Sequence, residues 1–159
     1  MTRFTLFFAS SSPFSQWHPC RFTIDGQQFN CTEQYMMYGK AMLFGDRETA
    51  AAILAAHEPR DHKALGREVK QFDNATWERE RAVIVMTGNR AKFTQNLVLR
   101  DALFATRGTT LVEASPTDLI WGIGLAEDDP RALDQANWRG LNLLGKILTE
   151  LRDELLAAG

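Results

Sequence analysis

Glu33, Met37 and Lys40 stand at i, i+4 and i+7, a spacing that places all three on one helical face with Glu33 and Lys40 about 10 Å apart along the axis. That is too far for a direct ion pair. A carboxylate and an ammonium so placed can address two parts of one ligand, the carboxylate a developing cation and the ammonium a phosphate. The alternative is local: Glu33 favours a helix N-terminus and Lys40 is solvated. A second stretch, Glu113 to Gly124, sets an acidic residue, a turn with Pro116 and Asp118, and Trp121 beside Gly122 and Gly124. Glycine lets backbone approach a ligand. Trp121 can stack on a base or ribose face or belong to the core, and Asp118 can accept hydroxyl hydrogen bonds or cap a turn. Asn142, between Gly140 and Gly145, either faces solvent or reaches into a pocket.

Several other chemistries fall away. Gly140 to Lys146 matches the GxxxxGK spacing of a phosphate loop, but Ile147 replaces the Ser or Thr that would hold magnesium. Gly122 and Gly124 begin a GxGxxG match that fails at Glu127, and no GxSxG elbow occurs. The cysteines Cys20 and Cys31 lack CxxC spacing, and His18, His57 and His62 form no HExxH cluster. No metal site is therefore expected. Cys20 and Cys31 could bridge in an oxidising compartment, but without an export signal they are expected reduced and buried, as small hydrophobes.

The elements that must position these groups fit one domain over 1–159. The chain has 159 residues, 45% hydrophobic and 24% charged, with a net charge of -2. That balance disfavours sequence-independent binding to duplex DNA, though not a local basic pocket. No run of 18 apolar residues offers a membrane span, so a cytoplasmic protein is expected. Phe4 to Ala9 reads as a strand, and Arg21 to Asn30 as a hairpin turning at Asp25 and Gly26. Thr32 is the expected N-cap of a helix over Glu33 to Phe44 stopped by Gly45, and Asp46 of the next, through Ala56. Pro59 opens a third helix ending near Gly66 or Val69, and Asp73 or Asn74 a fourth that runs to Phe93 with a bend at Gly88. Asn96 is expected to cap a fifth, to about Thr106. A short strand, Thr110 to Ala114, then precedes an irregular stretch and a final helix from Trp138 to Ala157, striped by Leu141, Leu144, Leu148, Leu151 and Leu155. The fold class is mainly α: an orthogonal helical bundle with a small N-terminal β-hairpin and short strands.

Seven stretches in order resemble the signatures of the NADAR (YbiA-like) family. They are Phe14 Ser15 Gln16 Trp17; Glu33 to Tyr38 with Lys40; Gly66 Arg67; Ala91 Lys92 Phe93; Leu111 Val112 Glu113; Asp118 with Trp121 to Gly124; and Gly140 with Asn142 to Gly145. The resemblance spans about Phe14 to Arg152. It implies hydrolysis of an N-glycosidic bond, without metal or cofactor, on substrates in which ribose C1 is attached to an exocyclic amine of an aminopyrimidinone. These are ribosylaminopyrimidine phosphates of riboflavin synthesis and guanine bases carrying ADP-ribose in DNA or RNA. It makes Glu33 the leading catalytic carboxylate, ionised by the N-terminal dipole, with Asp118 the second acidic candidate. Lys40 and Arg67 would take phosphate oxygens, Trp17 and Trp121 would wall base or sugar beside Gly122, Glu113 would contact ribose or base, and Asn142 would orient a hydroxyl or water. The chain departs from the pattern at Gly39, where a Gln is expected, and at Leu141, where a polar residue is common. Gly39 is expected to open space beside Lys40 and alter base recognition. A rival from another class is a module that binds ADP-ribose or a related metabolite without turning it over. A third, structural reading makes the aromatics core and the charges surface.

Overall fold

Asp25 and Gly26 both take positive φ, 51° and 80°, the backbone of the tight turn whose twist matches an antiparallel hairpin. They join β1 (Phe22–Ile24) to β2 (Gln27–Phe29), paired Phe22 with Phe29. The computed structural model describes residues 2–159, and these fall into two compact units. One is the continuous segment Gln16–Asn96, and the other is assembled from residues 2–15 and Leu97–Gly159. Among the described residues there are six α-helices and only short strands, so the mainly helical expectation holds.

The continuous unit carries the hairpin and four helices: α1 (Thr32–Leu43), α2 (Arg47–Ala55), α3 (Pro59–Gly66) and α4 (Asn74–Gln95). Thr32 does not cap α1. The N-cap residue is Cys31, without a side-chain bond; instead the Gln16 carbonyl accepts from Glu33 N at 3.0 Å and from Thr32 Oγ1 at 3.3 Å. A peptide oxygen from an earlier loop thus fills the vacancy that every helix start leaves. Asp46 and Asp73 cap as expected, accepting from Thr49 N and Thr76 N. α4 runs uninterrupted through Gly88. A Cβ there would lie 2.8 Å from Tyr35 Cδ2, and one at Gly39 would lie 2.7 Å from Ile84 Cγ2. Each glycine admits a side chain of the other helix, so Gly39 serves helix packing rather than opening space beside Lys40. Phe22, Phe29 and Tyr35 complete the core there, Phe29 meeting Tyr35 edge-on at 5.0 Å.

In the discontinuous unit, strands distant in sequence pair. The N-terminal strand βN (Phe4–Phe7) runs parallel to βC (Thr110–Glu113), Phe4 beside Thr110 and Phe7 beside Glu113. The helices of this unit are α5 (Leu97–Phe104) and α6 (Leu143–Ala158), with 3-10 turns at Pro130–Leu133 and Gln135–Asn137. The last helix starts five residues later than the sequence pattern suggests. Trp138 to Asn142 is irregular, Asn142 sits in the left-handed region at φ 53°, and Leu141 is exposed outside the apolar stripe. Asn96 closes α4 and directly precedes α5, its amide nitrogen donating to Arg21 O and Lys92 O. The core of this unit is Val112, Ile123, Leu125 and Ala132, overlaid by Phe4, Leu6 and Trp138.

Candidate active site

The face of α1 predicted from spacing exists. Met37 is buried between Glu33 and Lys40, its sulfur packed where a Cβ on Gly66 would come within 2.0 Å. Glycine at 66 therefore lets α3 close onto that face. The same residue presents its carbonyl, which accepts from Lys40 Nζ at 2.7 Å, so a cation sits at the negative end of α3. Lys40 Nζ also lies 4.8 Å from the Phe72 ring centre and 5.7 Å from that of Trp77. Burial lowers the Lys40 pKa, the charge of Arg67 lowers it further, and the Glu33 carboxylate opposes both. Three of the expected residues, Glu33, Lys40 and Arg67, are thus gathered within electrostatic reach. Glu33 is 5% exposed, whereas Arg67 is exposed at the end of α3. Trp17, 36% exposed, directly follows the Gln16 that anchors the start of α1.

Gln16 is the residue in this region that spacing did not mark out. Its backbone oxygen holds Glu33 N, its Oε1 accepts from Asn89 Nδ2 at 2.9 Å, and its Nε2 reaches Met36 Sδ at 3.8 Å. One buried amide therefore fixes the height of Glu33 and ties α1 to α4. The available signal was a polar side chain inside the Phe14 to Trp17 stretch, with a second, Asn89, on the inner face of α4. Lys92 was also missed as an individual group. It is fully buried on α4 with its ammonium 4.9 Å from the Phe93 ring centre.

In the discontinuous unit, Glu113, Gly122 and Asn142 come together. Asn142 is fully buried, and its side chain completes the edge of βC: Oδ1 accepts from Glu113 N at 3.0 Å and Nδ2 donates to Leu111 O at 3.1 Å. The amide expected to orient a hydroxyl or water is thus engaged by backbone, and its work here is positional. Gly145 makes room for it, since a Cβ there would lie 2.1 Å from Leu111 O and 2.3 Å from Asn142 Oδ1. A Cβ on Gly122 would lie 2.9 Å from Glu113 O, and one on Gly140 2.2 Å from Gly122 O. The glycines of the GxxxxGK match therefore serve close packing. Asp118 Oδ1 accepts from Ile120 N at 2.9 Å and Trp121 N at 2.8 Å, so this carboxylate shapes the turn that presents Trp121. Among the described residues, no group of three or more His, Cys, Asp or Glu is arranged to hold a metal ion.

The NADAR domain model matches residues 6–156. The chain belongs to the NADAR family. It is 42% identical to N-glycosidase R617 of Acanthamoeba polyphaga mimivirus, over 89% of this chain and 86% of that protein. It is 39% identical to protein irg-1 of Caenorhabditis elegans, over 96% and 79% respectively. The solution structure of Escherichia coli YbiA superposes with a TM-score of 0.80 at 27% identity, covering 99% of this chain and 88% of that one. The NADAR match runs through both units. Glu33, Lys40, Arg67, Glu113, Asp118, Trp121 and Asn142 all lie within it. No helix among the described residues is long and apolar enough to cross a membrane.

Proposed function

We propose that this chain, acting as one NADAR domain over 1–159, hydrolyses the N-glycosidic bond between ribose C1 and an exocyclic amine of an aminopyrimidinone. The observation that carries the reading is the α1 face. A buried carboxylate, Glu33, stands at its start, and one helical step of seven residues away Lys40 faces a second cation, Arg67. Two cations brought together beside apolar groups repel each other, and a phosphate between them offsets that repulsion. Lys40 commits one donor to Gly66 O and keeps two for such an anion. Glu33 is then about 10 Å along the helix, a separation that suits a sugar whose 5-phosphate is held at one end and whose C1 lies at the other.

The chemistry follows from that placement. As the C1–N bond breaks, positive charge develops on C1 and the ring oxygen, and a carboxylate fixed nearby stabilises it. Water supplies hydroxyl to C1. Its proton passes through Glu33 to the departing amine, whose electron pair the heterocycle delocalises meanwhile. In the continuous unit that carries Glu33, Trp17 takes the family role of stacking on base or sugar; in the discontinuous unit, Trp121 is the second stacking candidate with Gly122 and Glu113, while Asp118 shapes its turn and Asn142 holds the edge of βC. ADP-ribosylated guanine in nucleic acid and ribosylaminopyrimidine phosphate share the reacting atoms, and both are proposed substrates.

Purified protein and its Glu33→Gln variant are incubated with each substrate and followed by mass spectrometry. Wild type is expected to release ADP-ribose or ribose phosphate, and a folded Glu33→Gln variant to turn over about 100-fold more slowly or worse. Equal turnover by the variant removes Glu33 from its role. Retained binding of ADP-ribose with no product from wild type makes the chain a binding module instead.

A further inference from the structure

Four reactive groups outside the proposed catalytic face converge in the continuous unit: Cys20, Cys31, His62 and Lys92. Cys20 N donates to Asn30 O at 3.0 Å, which by standard backbone dimensions holds the Cα atoms of Cys20 and Cys31 within about 7 Å, near the span a disulfide bridges. The Lys92 ammonium is within electrostatic reach of both thiols. Both thiols are reduced in this structure; Cys31 is 1% exposed and Cys20 is half-buried. Cys31 Sγ lies 3.6 Å from His62 Nδ1, and His62 Nε2 lies 2.7 Å from Ala56 O. A carbonyl only accepts, so Nε2 carries the ring proton and Nδ1 turns its lone pair toward the Cys31 thiol.

We propose that Cys20 and Cys31 are an oxidisable dithiol, with Cys20 the attacking thiol, Cys31 the resolving thiol, His62 the proton acceptor for Cys31 and Lys92 the cation that positions Cys20. The co-reactant is a small-molecule disulfide of the glutathione class. Cys20 loses its proton to solvent, and its sulfur attacks one sulfur of the small disulfide, forming a mixed disulfide and expelling a thiolate that takes up a proton. Cys31 then passes its proton to His62 Nδ1 as its sulfur attacks the Cys20 sulfur. The Cys20–Cys31 bond forms, the second small thiolate leaves, and it takes a proton from His62 through solvent. Two protein thiols and one small disulfide become one protein disulfide and two small thiols. Burial pushes the Cys20 pKa up and the charge of Lys92 opposes that shift; Cys20 takes the first step because it is the thiol a small disulfide can reach, Cys31 being 1% exposed. Closure ties the loop after Trp17 to the N-cap of α1, two residues before Glu33.

The full chain is reduced, desalted, exposed to glutathione disulfide and read by intact mass and peptide mapping. The expected product is lighter by two hydrogens, carries no glutathione, yields a linked Cys20–Cys31 peptide and reverts with dithiothreitol. Cys31→Ala is expected to trap glutathione on Cys20, and Cys20→Ser to leave Cys31 unmodified. Lys92→Met, checked for folding by circular dichroism, is expected to close about tenfold more slowly. A folded wild type that stops as a stable Cys20 adduct, or whose thiols both stay unreacted, overturns the proposal. So does closure in Lys92→Met at the wild-type rate.

Discussion

Lys92 carries its amine into an apolar interior, and burial pushes its pKa down from 10.5 to about 8, with the two thiols resisting the shift. Between about pH 8 and 9 the unfolded chain holds a proton that the native protein has released, so stability rises with pH, by up to about 1.4 kcal/mol per unit. Above pH 9 Cys31 works in the opposite direction. Its thiol is pushed up from 9.0 to about 12, chiefly by burial, so the native state keeps a proton that the unfolded chain loses. Urea unfolding across this range should show a climb from about pH 8 that flattens from about pH 9. Lys92→Met should abolish the climb, and Cys31→Ala should extend it upward. At this scale the sequence was legible where spacing alone fixes neighbours, as with Glu33, Met37 and Lys40 on one face of α1 over about two turns. It was opaque where a group acts across the fold. Nothing local to Gln16 announces that its carbonyl replaces a cap, or that Asn142 uses both ends of its amide on a strand.

Helix pairs are decided by what their surfaces admit. At the α1–α4 contact the two glycines are not equivalent. A methyl on Gly88 meets the Tyr35 ring, which is itself held by Phe22 and Phe29. A methyl on Gly39 meets the side chain of half-buried Ile84, its Cγ2 at 2.7 Å. Gly→Ala in a helix gains about 1 kcal/mol from propensity, and half-buried Ile84 can give toward solvent, so Gly39→Ala should lower stability less than Gly88→Ala in thermal melts. Gly88→Ala should lower stability by about 1–3 kcal/mol because the ring cannot yield. Propensity rules read each helix alone, which is why Gly39 looked like a gap and the partner of Gly88 was not foreseen. The caps at Asp46 and Asp73 and the turn at Asp25 and Gly26 were legible because their physics is contained in a few neighbouring residues. The late start of α6 was not: the left-handed Asn142 is imposed by its bonds to βC, against an apolar pattern that suits an earlier start.

For the molecule as a whole, βN and βC pair across a segment that folds into a unit of its own. Short strands give no signal of a parallel partner roughly a hundred residues away, so this pairing was beyond reach of the sequence pattern. It makes the first residues structural. Phe7 O accepts from Ala114 N at 2.8 Å, and Arg3 O from Thr110 N at 2.9 Å. Deleting residues 1–8 should unprotect the amides of βC that face βN in hydrogen exchange, while Leu111 N, held by Thr149 Oγ1 at 2.9 Å, should exchange more slowly than those neighbours. The pairing also has a consequence during translation. Phe4, Leu6, Phe7 and Phe8 leave the ribosome before their partner strand, which at ordinary elongation rates follows about 5 to 20 s later. Through that interval the nascent chain displays an apolar edge with nothing to pair with, so this protein should depend on holdase chaperones until βC has emerged.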